Sequence, residues 1–334
     1  MSASKTIETQ VLVIGGGATG TGIARDLSLR GLTVILAEKQ DLNAGASGGN
    51  HGLLHSGARY VASDPEAAIE CNLENEIVKQ MAGHCVEETG GLFAAVKGDD
   101  ETYIADFPEY CRKAGIPCRP MDVREALEKE PALSPDTIAV YEVNDAAINP
   151  FKLSIESMKD VKARGGEYRK GCRLDGFEIH GQKIARARML NTFTGQFFYV
   201  EAQAYVNATG AWAGQVAAMA GITVNIVFSK GSLLVTGNRI TRRVVNRLRK
   251  AQDGDILVPG GVVSILGTTS VRAESPDLIH PTVDEVDLIV NEGEKMIPGL
   301  KTCRYMRAYS GVRPLVSLGS GNDREVSRGF TLLD

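Results

Sequence analysis

The sequence predicts an α/β fold that opens on a strand–turn–helix–strand unit, and three observations carry that prediction. Val11 to Ile14 is a continuous apolar run, as expected of a strand buried on both faces. Gly15, Gly17 and Gly20 then supply G-x-G-x-x-G at the entry to a helix whose Ile23, Ala24 and Leu27 share one face, and Gly31 stops it. Leu32 to Ala37 is a second apolar strand with Glu38 at its carboxyl end. Glycines at such a turn let the backbone approach a pyrophosphate, and a helix amino terminus offers it unpaired N–H groups. A carboxylate after the second strand accepts hydrogen bonds from a ribose diol and repels a 2′-phosphate. A lone glycine motif says little, but one set between two strands with its acid in place marks a Rossmann-type site for an ADP-containing dinucleotide. These residues leave FAD and NAD both open.

Bulk properties narrow the class. The chain has 334 residues, 43% hydrophobic and 23% charged, which suits about two globular domains. A net charge of −4 argues against a nucleic-acid partner. Cys71, Cys85, Cys111, Cys118, Cys172 and Cys303 are scattered without C-x-x-C, a pattern of reduced thiols in a cytoplasmic protein rather than of a disulfide framework or a metal site. The polar start MSASKTIETQ is not a signal peptide, and no apolar run is long enough to span a bilayer.

The following stretch, DLNAGASGGNHGLLHSGARY (41 to 60), is too rich in Gly, Ala, Ser and Asn for a regular element, yet holds two histidines and an arginine, as ligand-lining loops do. Ser63-Asp64-Pro65-Glu66 opens a helix on which Leu73, Ile77 and Met81 recur every four residues, with His84 at its end. Gly91 to Lys97 reads as a strand, 106 to 114 as a helix ended by Gly115, and Asp122 to Glu125 as the cap of a short helix ending before Pro131. Ile138 to Val143 is a strand, and Asn149-Pro150 introduces a helix from Phe151 to Arg164. From Glu167 the period becomes two: GEYRK, RLDGFEI, KIARARML and QFFYVEA are four strands, with Asn191 to Gly195 a hairpin loop. The apolar strand at Tyr205 enters a tight turn, NATGAWAG, and a small-residue helix from Gln215 to Ala220.

Residues 222 to 334 are strand-rich, with clear strands at Phe228 to Val235 and Val262 to Thr269 and an amphipathic helix from Val283 to Met296. Between those strands, RITRRVVNRLRK (239 to 250) carries six basic residues and no acid. Its pattern reads as a solvated charged face, or as a surface for anionic lipid or a membrane-anchored partner. Beyond Leu315 a polar, glycine-rich loop runs to Ser327, and Phe330 to Asp334 reads as the beginning of a strand.

Taken together, the βαβ unit, GASGGNHGLLHSGARY, VNATGAWAG, KGSLLV, GTTS and AYSGVRPLV resemble the FAD-dependent glycerol-3-phosphate dehydrogenases, most of all the large (A) subunit of the anaerobic type. They belong to the glycine/D-amino-acid oxidase superfamily. The likeness covers essentially the whole chain. It implies a Rossmann-type FAD domain split in sequence and a mixed-sheet α+β substrate domain. The implied segments are 1–90 and 151–221 for the FAD domain, 91–150 and 222–315 for the substrate domain, and 316–334 as the start of a return to the first. It resolves the dinucleotide as FAD. Gly15, Gly16, Gly17, Ala18, Thr19 and Gly20 would line the pyrophosphate, and Glu38 would hold the ribose. Ser47, Asn50, His51, Gly52 and Leu53 would border the flavin, Arg173 the adenine end, and Ala208, Thr209, Gly210 and Trp212 the second turn.

The implied reaction is oxidation of sn-glycerol 3-phosphate to dihydroxyacetone phosphate, with hydride from C2 to flavin N5 and electrons passed to a quinone or to membrane-associated partner subunits. A glycerol phosphate needs cations for its dianion, and arginine serves with bidentate geometry. Arg59 and Arg313 each follow a glycine by two residues in small or apolar surroundings, and the resemblance places both at the substrate with Tyr60 and Thr268. Arg313 would also stabilise the developing alkoxide. A structural ion pair is the plain alternative for either arginine. His55 would be the base or the orienter, with His51 next in line. The chain would work in the cytoplasm, at most peripherally on the membrane's inner face. Relatives of this kind continue past this point with a Gly-Gly-Lys motif and a cysteine-rich domain, so the sequence reads as a truncated chain. A non-catalytic flavoprotein fragment, and an oxidase of a 2-hydroxy acid or amine, are the alternative readings.

Overall fold

Local signals account for most elements along the chain. The computed structural model describes residues 5–277, 279–316 and 332–333. The polar loop to Ser327 and the strand expected at 330–334 lie outside these residues, except for Leu332 and Leu333, which form no regular element. Strand β1 (Thr6–Ile14), helix α1 (Ala18–Leu29) and strand β2 (Val34–Glu38) form the opening unit, with Gly31 at φ 83° ending the helix. Short β3 (Leu53–Leu54) precedes α2 (Pro65–Ala82), whose cap Asp64 accepts from the Ala67 N–H at 3.2 Å. Next come β4 (Val86–Glu87), β5 (Gly91–Val96) and α3 (Glu101–Lys113). Helix α3 begins earlier than the apolar pattern suggests because Asp100 caps Thr102 and Tyr103. Then follow β6 (Cys118–Met121), α4 (Val123–Lys129) capped by Asp122, β7 (Thr137–Val143), β8 (Ala146–Ile148) and α5 (Pro150–Ala163).

The period-two region yields β9 (Glu167–Lys170), β10 (Cys172–His180), β11 (Lys183–Asn191) and β12 (Phe197–Asn207), then α6 (Ala213–Ala218). One long strand, β12, joins what reads in sequence as a hairpin strand and a separate apolar run. The remainder comprises β13 (Ile226–Thr236), β14 (Val244–Arg247), β15 (Ile256–Gly260), β16 (Val263–Gly267), β17 (Val271–Ala273), α7 (Val283–Met296) with a full Thr282–Glu285 capping box, and β18 (Tyr305–Val316).

Two compact units emerge. The first holds the described residues to Gly49, Pro150–Phe228 and the stretch from Val312; the second holds Asn50–Asn149 and Ser229–Gly311. Residues 50–90 thus group with the second unit, not with the first as the sequence reading divides them. The reason is packing: Ala58, Val61 and Ala68 share one core with Phe93, Phe107 and Val143.

In the first unit the sheet order is β10-β11-β12-β1-β2-β9, with parallel pairing from β12 through β9 and an antiparallel meander at the other edge. The apolar run of β1 is explained by its two faces. Leu12 and Ile14 pack with Met189, Phe198 and Val200 on one side. Val11 and Val13 pack with Ala24, Met158 and Val161 on the other. All four are at most 6% exposed. Each such burial stabilises by about 1.5–3 kcal/mol.

In the second unit a nine-stranded sheet runs β17-β13-β16-β15-β14-β5-β7-β6, with β18 also pairing β13. Helix α2 departs from the usual pattern. Leu73, Ile77 and Met81 face solvent, and the helix buries Ala67, Ala68, Asn75 and Ala82. Small residues let its backbone approach closely: a Cβ on Gly57 would lie 2.1 Å from the Ala68 carbonyl oxygen.

The basic run is not the solvated face its composition suggests. Its centre is β14, whose four residues are all buried. Arg239 pairs with Glu87, Arg243 with Glu142, Arg247 with Asp99, and Arg249 with Asp255 and Glu292, at 2.5–2.8 Å. Asp255 close by and four acids from distant segments neutralise the run, so it offers no basic patch for lipid; only Arg242 and Lys250 are exposed.

Candidate functional site

At the carboxyl ends of β1 and β2, where the strand order reverses across β1, the first unit contains a cavity of about 400 Å³. It is lined by Gly15, Gly16, Gly17 and Thr19, by Glu38 to Gln40, by Ala44 to Ser47, by Cys172 to Leu174, and by Ala208 to Trp212. The glycines are there for space. Gly15 has φ +111°, and a Cβ on it would lie 2.4 Å from the Ala208 carbonyl oxygen. A Cβ on Gly20 would lie 1.9 Å from the Gly15 carbonyl oxygen. The first turn therefore packs directly on α1 and on the turn after β12. Gly20 acts by this packing; it is buried and does not line the cavity.

The amino terminus of α1 carries no acid in its first turn and no side-chain bond from its cap Gly17. The Ser47 hydroxyl accepts the Ala18 N–H at 2.9 Å. No acid of the helix itself thus opposes its dipole, the setting that suits a phosphate anion. Glu38 Oε2 accepts the Gly16 N–H at 2.8 Å, and Oε1 accepts the Gln40 N–H at 2.7 Å. An ionised carboxylate has about four acceptor positions, so it can still take a ribose diol. Trp212 also lines the cavity, and the Lys39 ammonium lies 3.6 Å from its ring centroid. Arg173 borders the cavity with its side chain largely exposed, 3.9 Å from Asp175. Lys39, Gln40 and Leu174 are lining residues the sequence reading missed; adjacency to Glu38 and Arg173 was their only signal.

The second unit holds Asn50, His51, Gly52, Leu53, His55, Arg59, Tyr60 and Thr268. The first four, expected beside the flavin, do not line the cavity of the first unit. Gly52, at φ +71°, brings Leu53 into β3 against Ala147. Three side chains in this loop fold back on it: Asn50 Oδ1 accepts the Gly52 N–H (2.7 Å), His51 Nδ1 the Leu53 N–H (3.3 Å) and His55 Nδ1 the Gly57 N–H (3.1 Å). The His55 ring meets Tyr60 edge-on at 5.1 Å. Burial, together with the Arg59 guanidinium, lowers the His55 pKa below the usual histidine value, against an opposing pull from Asp145.

Arg59 follows its plain alternative in part. One terminal nitrogen donates to Asp255 (3.1 Å) and to the Gln252 carbonyl (3.2 Å), and the side chain is 13% exposed. The other, Nη1, is buried with no hydrogen-bond partner. Thr268 sits beside Thr269, whose hydroxyl donates to Glu285 and accepts from the Ser232 N–H. Lys230 donates to the same carboxylate at 2.8 Å, tying β13 to the start of α7. Arg313, half-buried on β18, falls in the first unit. Among the described residues no His/Cys/Asp/Glu group could hold a metal, and no helix is long and apolar enough to cross a membrane.

Comparison with known proteins places this geometry. The chain is 43% identical over 337 residues to the A subunit of the anaerobic glycerol-3-phosphate dehydrogenase of Escherichia coli K12, covering 100% of this chain and 62% of that protein. It is 40% identical to the A1 subunit of the corresponding Haloferax volcanii enzyme, covering 97% of this chain and 57% of that one. The chain thus spans about three-fifths of the length of these relatives. In fold it is similar to the L-α-glycerophosphate oxidase of Mycoplasma pneumoniae with FAD bound, at TM-score 0.79 and 18% identity, covering 93% of this chain and 84% of that one. The family pattern described as DAO, FAD dependent oxidoreductase, matches residues 10–331. With its glycine turn, its carboxylate after β2 and its second turn at Ala208, the chain belongs to the DAO family of FAD-dependent oxidoreductases.

Proposed function

We propose that this chain oxidises sn-glycerol 3-phosphate to dihydroxyacetone phosphate with bound FAD and delivers the electrons to a quinone or to partner subunits. The observation that carries the reading is the 43% identity, sustained from end to end of this chain, to the A subunit of an anaerobic glycerol-3-phosphate dehydrogenase. That this relative is one subunit of its enzyme supports protein partners, and electron delivery to a quinone would bring the chain to the inner face of a membrane.

The residues present fit FAD. Gly15, Gly16 and Gly17 leave the space a pyrophosphate needs, α1 turns its positive end toward the cavity, and Glu38 would accept the ribose hydroxyls. Gly210 and Trp212 line the same cavity. When bound, the flavin supplies the two-electron oxidation. The chain's own part is to bind and orient substrate: Arg313 would meet the substrate's negative charge and the charge that develops at the C2 oxygen, and Thr268 would contact the substrate. Arg59 would be a further substrate cation, tempered by its Asp255 partner.

Two measurements test this. Trp212 is the only tryptophan, so FAD titrated into the apoprotein is expected to quench most of its fluorescence. Binding without quenching would remove Trp212 from the site. Anaerobic addition of glycerol 3-phosphate to the FAD-loaded protein is expected to bleach the flavin's visible absorption. Bleaching by 2-hydroxyglutarate or an amine instead, with glycerol 3-phosphate inert, would overturn the substrate assignment.

A further inference from the structure

The loop that carries His55 is built so that the ring has one hydrogen-bonding sense. An N–H can donate only to an unprotonated nitrogen, so the Gly57 N–H at 3.1 Å marks Nδ1 as the bare nitrogen of His55. A neutral imidazole then carries its single proton on Nε2. Burial, and the Arg59 charge with it, lower the pKa of the ring below the usual histidine value, against the opposing pull of Asp145.

The peptide that donates is itself immobilised. Gly57 sits at φ +88°, against the Ala68 carbonyl. Ser56, between His55 and Gly57, is fully buried and donates to Asp145 Oδ1 through its N–H at 2.7 Å and its hydroxyl at 2.9 Å. Asp145 is 2% exposed, and its other oxygen accepts the Asn246 amide at 3.0 Å. Gly91 leaves the room: a Cβ there would lie 2.6 Å from the Asp145 side chain.

From this geometry we infer that His55 is held in its Nε2–H tautomer, able to donate a hydrogen bond through Nε2 but not to accept a proton there, with Asp145 as the positioning residue that sets the tautomer through Ser56. For His55 to take a proton at Nε2, its own ring proton must first move to Nδ1. There it would oppose the Gly57 N–H and leave a buried donor unpaired, a penalty of roughly tenfold to a hundredfold in population. His51 shares the device through the Leu53 N–H, at 3.3 Å. The part this donor plays in turnover rests on the glycerol phosphate reading above; the tautomer does not.

The test is nitrogen-15 NMR of histidine-labelled full-length chain carrying FAD, with His55→Asn identifying the resonances. The expected result is a protonated Nε2 and a bare Nδ1 on His55, unchanged across neutral pH, and a population of the other tautomer appearing in Ser56→Ala. A protonated Nδ1, or a ring that titrates near neutrality, overturns the inference. Turnover adds a second arm. Gln keeps a donor at the position of Nε2, whereas Asn keeps only the acceptor for the Gly57 N–H. His55→Gln is expected to retain at least about tenfold more kcat than His55→Asn, with the acid limb of the pH profile unchanged. Equal loss in both, with that limb abolished, restores the base. If the tautomer is as expected and glycerol 3-phosphate leaves the flavin unbleached, the substrate reading fails and the tautomer stands.

Discussion

Gly15→Ala is expected to lower FAD affinity by at least about 100-fold, or about 2.7 kcal/mol, and to lower the thermal midpoint of the protein. The residue sits at φ +111°, where a side chain is strained whatever its surroundings. The added Cβ would also lie 2.4 Å from the oxygen and 2.8 Å from the carbon of the Ala208 carbonyl. Neither atom can retreat, because β1 and β12 are locked in parallel register with Ile14 against Asn207. Relief would come only from moving the turn or its partner, and both line the cavity. Gly22→Ala is the matched control. That helical glycine has nothing within 4 Å of its absent Cβ, so alanine there is expected to be neutral or to stabilise by up to ~1 kcal/mol. Equilibrium flavin titration and thermal melts of both variants decide the matter. A Gly15→Ala protein that binds FAD within about threefold of the parent would remove this turn from the cofactor site.

Arg247→Met is expected to destabilise the second unit by about 3–5 kcal/mol, the range for breaking a buried ion pair from one side. Arg247 ends β14, bonded bidentately to Asp99 at 2.6 and 2.8 Å, with the two side chains only 5% and 4% exposed. Asp99 also accepts the Val96 N–H at 2.8 Å, which closes the turn after β5. Without the guanidinium this carboxylate is left buried beside the neutral Val96 donor, and it must protonate or draw in water. Adding Asp99→Ala to Arg247→Met should recover more than half of the loss, since the stranded charge goes with it. Urea unfolding followed by circular dichroism reads both effects. A single variant that loses less than about 1 kcal/mol would mean the pair is dispensable, and that apolar packing around β14 supports the sheet unaided.

The lining of the first unit's cavity was legible because its chemistry is local. The glycine turn, the helix it opens and the acid after β2 lie within one short stretch, and each is required by backbone sterics or by a phosphate's need for N–H donors. The second turn at Ala208 was legible for the same reason. What could not be read is what depends on partners far along the chain. The basic run has the composition of a surface patch, yet the acids that neutralise it are Asp255 close by and, from distant segments, Glu87, Asp99, Glu142 and Glu292. Arg59 stands in a ligand-like motif, but its sharing with Asp255 depends on a loop far along the chain. Helix α2 defeats the usual pattern rule in another way: its apolar residues recur with helical spacing and face outward, while the helix buries Ala67, Ala68, Asn75 and Ala82 and meets the Gly57 turn at Ala68.

By itself, then, the sequence determined an α/β chain with a glycine-rich turn, the acid that follows its second strand, and the motifs by which the family is recognised. These are set by which residues can occupy a left-handed turn, line a strand buried on both faces or cap a helix, and such limits act over a few residues. Only the tertiary structure decided which charges are spent on one another, where the chain passes from one unit to the next, and which nitrogen of His55 carries the proton. Those outcomes depend on burial and on donors and acceptors brought together across long separations: Asp145 reaches Ser56 from a separate strand connection, and nothing near Ser56 in the sequence announces it.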